Sequence, residues 1–287
     1  MSQSNKIEEF MQRNQKHKEH DVAISKCLKD TRKVLDDLDF GSSDLLSYIP
    51  KVMLSFTLHS VYQNVDVTLY ALKSHAYSTA EALSRVAIEH SVNLIYLLSE
   101  NTKERGISFI KSYLERTEKA SSQWQRLAAD QGDETGEAIA SQKAETCRFY
   151  QKLFIINPGL EHIPGWPVKI FDLFKSVGLE GSYRTIYASG SNSVHSLSED
   201  IFNIYLNNHP GLPREVDMNE ASEVERMSFA VFLSMSAVYF FNLAIVALAV
   251  KMEDEVAAER IVQAREEIEA LLSQHHEDLI EDRGPFT

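Results

Sequence analysis

Ser78-Thr79-Ala80-Glu81-Ala82-Leu83-Ser84-Arg85-Val86-Ala87-Ile88-Glu89-His90-Ser91-Val92-Asn93-Leu94-Ile95-Tyr96-Leu97-Leu98 is the stretch on which the fold turns. Ser78 followed three residues later by Glu81 reads as a capping box, and neither Gly nor Pro interrupts the run before Ser99 and Asn101. That pattern predicts a helix of about six turns. Leu83, Val86, Ala87, Leu94, Leu97 and Leu98 form one broad apolar face, and Ile88, Val92 and Ile95 cover much of the other side, so the helix is expected to be buried nearly all round. Through it runs a polar stripe, Glu81, Arg85, Glu89, Asn93 and Tyr96, stepping by three or four residues. A charged stripe inside a core requires partners from other elements.

Composition supports a helical reading of the whole chain. The 287 residues are 44% hydrophobic, enough for a sizeable core, and the 11 Gly and 7 Pro cluster in short connections between long periodic segments. Strand patterns are weak throughout. The net charge of -13 argues against nonspecific binding to nucleic acid or anionic membrane, although it leaves room for a local basic patch. Cys27 and Cys147 sit far apart inside helical patterns, as reduced core cysteines of a cytoplasmic protein would, and the first ten residues lack the apolar run of a signal peptide.

Residues 1–43 read as an N-terminal amphipathic helix, 44–280 as a helical bundle domain and 281–287 as a tail. Within the bundle, a helix starting at Asp44 or after Pro50 runs to about Lys73 and pairs with the opening stretch as an antiparallel hairpin. Helices are also expected from Lys103 to about Ala129 and from Glu137 to about Leu153. The irregular Asn157–Pro167 then leads to a short helix, Val168–Ser176. Phe229–Val250 carries no charge and is long enough for a bilayer. Ser234, Ser236, Tyr239 and Asn242 inside it, and the acidic flank after Lys251, favour a buried core helix over a membrane span. An amphipathic helix from about Asp254 to Leu279 closes an all-α, multi-helix bundle whose two buried central helices are Ser78–Leu98 and Phe229–Val250.

Chemistry concentrates in two places. Around a regular helix Arg85 and Glu89 lie roughly 40° apart and form a pair, whereas Arg85 and His90 lie roughly 140° apart. Downstream, Tyr187, Ser191 and His195 share one face if their segment is helical, in a stretch dense in small residues and hydroxyls that also holds Ser193. Glu89 is expected to orient His195 as a general base, with Arg85 binding an anionic group and Tyr187 completing the network. The same four side chains also fit a purely structural network that satisfies its own charges. No zinc spacing, di-iron Glu-x-x-His pairing, nucleophile elbow, Walker loop or dinucleotide fingerprint is present, so neither a cofactor nor a metal is expected.

The helix Leu83-Ser84-Arg85-Val86-Ala87-Ile88-Glu89-His90, taken with Tyr187 and Ser193-Val194-His195, resembles an uncharacterised bacterial family, number fifty-six seventy-seven among the domains of unknown function. The resemblance spans about Ser55 to Val250 and implies an all-α fold with no established activity. Arg85-x-x-x-x-His90 also resembles the Arg-x(4 to 6)-His pattern of HEPN ribonucleases. That second resemblance implies metal-independent action on RNA or a nucleotide, with His90 assisting proton transfer and Arg85 stabilising the phosphorane. His90, Ser191 and Ser193 are secondary site candidates. The alternative is a non-catalytic helical protein that binds a partner or a small anion. A homodimer is compatible with either reading.

Overall fold

The computed structural model describes residues 3–155, 162–188, 201, 205 and 218–282, and no strand occurs among the described residues. In chain order come α1 (Gln3–Lys16), a 3-10 turn (His17–His20), α2 (Asp21–Asp37), α3 (Tyr48–Lys73) and α4 (Tyr77–Leu98). They are followed by α5 (Thr102–Gln131), α6 (Glu134–Ile155), α7 (Ile170–Ser176), one turn at Glu180–Ser182 and a π-helical turn at Tyr183–Tyr187. The last two helices are α8 (Met218–Lys251) and α9 (Glu255–Asp282).

α4 and α8 pack along one another at the centre, as their all-round apolar patterns require. α3 lies against α4 as the expected hairpin, α9 and α2 cover α8 from outside, and α5 with α6 forms a hairpin that joins the core through α3 and α4. α8 is long and apolar enough to cross a membrane, yet 78% of its most apolar window is buried inside the protein. Its polar residues are satisfied within the core. Ser234 and Ser236 donate to the carbonyls of Ala230 and Phe232, while the Asn242 Oδ1 accepts from Thr31 Oγ1 at 2.6 Å. α8 starts well before Phe229 because Glu223 and Glu225 fall on its exposed side and do not interrupt the buried face.

Several helix starts differ from expectation. Ala76 precedes α4 without a side-chain cap, and Ser78 lies inside the first turn, where its hydroxyl accepts from Arg226 Nη2 of α8 at 3.0 Å. The capping box therefore does not form, because Ser78 serves the packing of α4 on α8. α5 starts at Thr102, and its cap is Asn101, whose side chain accepts from the Glu104 N–H. Gly106 lets α5 approach the first turn of α3: a Cβ there would lie 3.1 Å from Ile49 Cγ2 and 3.2 Å from Pro50 Cδ.

The N-terminal segment is broken where a single helix was expected, and the break turns His17 inward. Its Nδ1 lies 2.8 Å from Ser228 Oγ on α8 and its Nε2 3.1 Å from Asp278 Oδ2 on α9. Ser228 Oγ donates to Asn14 Oδ1 at 2.8 Å, and the His275 ring of α9 stacks on His17 at 4.0 Å and donates from Nε2 to the Ser228 carbonyl at 3.1 Å. Burial, reinforced by neighbouring His17, pushes His275 down to about 4; burial and His17 also lower His20. Four chain segments, α1, the 3-10 turn, α8 and α9, are tied together by this one cluster.

Candidate ligand-binding groove

The polar stripe of α4 obtains its partners from a different element at nearly every step. Tyr187, on the π-helical turn, is buried and donates its hydroxyl to Glu89 Oε2 at 2.7 Å. Arg85 donates from Nη2 to the same phenol oxygen at 3.3 Å, and its guanidinium carbon stands 4.5 Å from the Tyr187 ring centroid. No direct Arg85–Glu89 ion pair forms among the described residues; the phenol bridges the two instead of the direct pairing that their spacing suggests. The reason is that Tyr187 inserts between them and offers both a ring face and a hydroxyl. Burial first, and then the hydrogen bond to Glu89, push the Tyr187 phenol up to about 12, so it remains a donor across the neutral range. Arg85 Nη1 is buried and has no hydrogen-bond partner among the described residues.

One turn further, Asn93 Oδ1 accepts from Trp166 Nε1 at 3.2 Å while its amide donates to the Glu89 carbonyl at 2.8 Å. Trp166 is fixed from three sides. Its backbone N–H donates to Ser112 Oγ of α5 at 2.7 Å, and its ring meets the edges of Tyr96 and Phe109 at 4.8 and 5.1 Å. Tyr96 in turn carries Arg105 over its face at 4.0 Å.

These contacts form the wall of an open groove of about 420 Å³ between α3, α4, α5, the Trp166 loop and α7. Glu89, His90, Asn93 and Arg116 line it with polar groups, and Phe56, Phe109 and Trp166 supply aromatic surface. Arg116 donates from Nε to the Ser112 carbonyl at 3.1 Å, and its terminal nitrogens make no hydrogen bond among the described residues. His90 Nδ1 is 3.4 Å from Ser60 Oγ; burial lowers its pKa against the pull of Glu89.

Of the residues singled out in the sequence, the structure brings Arg85, Glu89 and Tyr187 together. Glu89 and His90 reach the groove, while Arg85 faces the π-helical turn. Arg85 and His90 therefore diverge, as roughly 140° around one helix demands, and do not converge on one ligand atom. His195, Ser191 and Ser193 lie outside the described residues. Arg116 and Trp166 were not among the expected site residues. They come from α5 and from the irregular loop, and no spacing in the sequence links either to α4. No cluster of His, Cys, Asp or Glu suited to a metal ion occurs among the described residues.

Fold and groove together define a helical bundle with a charged, aromatic-walled cleft beside its central hairpin. The model of the family of unknown function DUF5677 matches residues 53–212, more than half of the chain, and the chain belongs to that family. The matched region begins at Met53, a residue of the groove wall, and includes Arg85, Glu89, Arg116, Trp166 and Tyr187. No curated protein and no solved structure matches the chain.

Proposed function

We propose that this chain is a cytoplasmic binding protein for a small anionic ligand with a planar ring, of the nucleotide class, held in the groove beside α4. The observation that carries the reading is the convergence of Glu89, His90, Asn93 and Arg116 on one aromatic-walled cleft. Phe56 and Phe109 offer apolar faces to a ring, and the Glu89 carboxylate accepts from a ring amine. The uncommitted nitrogens of Arg116 take the anionic group. Arg85 and Tyr187 position Glu89 from behind without touching the ligand. The buried, unpaired thiols of Cys27 and Cys147 support the cytoplasmic assignment.

The test is calorimetric titration with AMP, GMP, CMP, UMP and inorganic phosphate. Saturable binding of at least one nucleotide is expected, weakened about tenfold or more by Arg116→Ala, which is roughly 1.4 kcal/mol or more. No binding across the panel would overturn the reading. A second reading, metal-independent cleavage of RNA in the same groove, is favoured by one observation. Burial keeps the His90 imidazole neutral beside a carboxylate, the state a general base needs. Cleavage in EDTA, abolished by His90→Ala and weakened by Glu89→Gln, is its expected signature. Equal activity in wild type, His90→Ala, Arg85→Ala and His195→Ala would rule it out.

A further inference from the structure

α3 carries a second surface, of which the ligand reading uses Phe56 alone. Tyr48, Phe56 and Tyr70 are 80%, 81% and 65% exposed, and Val52 and Val67 are each 48% exposed. At about 100° per residue all five fall in a band roughly 100° wide along some 33 Å of helix. Single exposed apolar residues are ordinary; five in one stripe on one helix are a face. Between them lie exposed His59 and Gln63, with half-buried Asp66 and exposed Ser55 at one edge.

The order of residues on this face is close to palindromic. If two copies of α3 pack antiparallel about an axis near His59, Tyr48 meets the partner copy's Tyr70 and Val52 meets the partner copy's Val67. Phe56 meets the partner copy's Gln63, and the two His59 side chains meet at the axis. The polar flank is complementary in the same register, since Lys51 falls near the partner copy's Asp66, twice. The exposed aromatic and valine surface amounts to roughly 500–600 Å² per copy, and the intervening polar side chains bring it near the ~800 Å² per partner of a standard interface.

From this we infer that the protein forms a two-fold homodimer through the exposed face of α3, with the partner copy's α3 covering the outer rim of the groove at Phe56. Phe56 belongs to both surfaces: it stands on the stripe and lines the groove. The cleft is thus completed by the partner copy, whose Gln63 sits at its mouth. The dimer itself does not depend on ligand.

Sedimentation equilibrium of the full chain, without nucleotide, should give twice the chain mass of 32.6 kDa at micromolar concentration. Phe56→Glu with Val67→Glu should give a monomer with an unchanged far-ultraviolet spectrum, whereas Trp124→Glu, at an apolar position on α5 that is 42% exposed, should leave the dimer intact. Because such a double variant could lose its fold, His59→Cys provides a second measurement. Both natural cysteines are buried, so oxidation should yield a disulfide-linked dimer from His59→Cys and none from Trp124→Cys. A monomeric wild type, or a dimer indifferent to the α3 substitutions and not cross-linked at position 59, overturns the inference. Either result leaves the nucleotide titration to be judged by itself.

Discussion

Two of the polar clusters packed into this bundle handle a shared problem in opposite ways. Among the described residues, the cluster of His17, Ser228 and His275 leaves His275 Nδ1 without a partner, and the cluster of Arg85, Glu89 and Tyr187 leaves Arg85 Nη1 without one. An imidazole adapts by losing its proton, which turns an unpaired nitrogen into a tolerable lone pair, and the lowered pKa of His275 records that adaptation. A guanidinium has no such escape. Its charge persists, spread over the Tyr187 ring and the phenol oxygen, with Glu89 one hydrogen bond away. The first arrangement suits a joint between chain segments, whereas the second holds a guanidinium behind Tyr187 and Glu89, one side chain back from an open cleft.

The sharpest way to break this contrast is His17→Ala. It removes a stacked ring and two polar contacts that link the 3-10 turn to α8 and α9, and should destabilise the protein by about 3 kcal/mol in chemical denaturation. A loss below about 1 kcal/mol would mean that the cluster does not tie these helices. Next in size is the acid response. The native His275 titrates near 4 and the unfolded one near 6.5, so in this interval only the unfolded chain takes up the proton. Stability should fall as pH drops from about 6.5 to about 4, by on the order of 2–3 kcal/mol, and then level off for this group. His20, shifted the same way, adds to the slope. His275→Asn should flatten the profile; an unchanged slope would place its origin elsewhere.

The smallest expected effect belongs to Tyr187→Phe. It keeps the ring under Arg85 but removes the hydroxyl, and should cost about 1–2 kcal/mol. At the other end of the pH scale, wild type should lose stability between about 10 and about 12, where the unfolded phenol ionises and the native one does not. Tyr187→Phe should lack that alkaline loss. If it binds nucleotide as tightly as wild type, the phenol does not position Glu89 for the ligand.

How legible these regions were differs for physical reasons. α4 and α8 could be read because their apolar residues nearly encircle them, although Val86, read as part of the broad apolar face of α4, is 41% exposed. Arg85 and Glu89 were visible as neighbours on one helix, and Tyr187 as a partner of the right type. The phenol bridge was not visible, because it depends on where the π-helical turn places the ring. Arg116 and Trp166 were hidden for a similar reason. They join the groove only when α5 folds back, with Gly106 against Pro50 and Ser112 holding the Trp166 backbone. His17 lies in a segment read only as an amphipathic helix, since nothing local marks the 3-10 break that turns it inward.

The position of α8 in the chain bears on how the molecule is made. α4 leaves the ribosome with its apolar face complete, yet the helix that covers it begins about 120 residues later, at Met218. At roughly 5–20 residues per second, that interval is on the order of 10 s. For that time the central hairpin of α3 and α4 waits without its main packing partner, a condition that favours chaperone capture and makes completion of the core a post-α8 event.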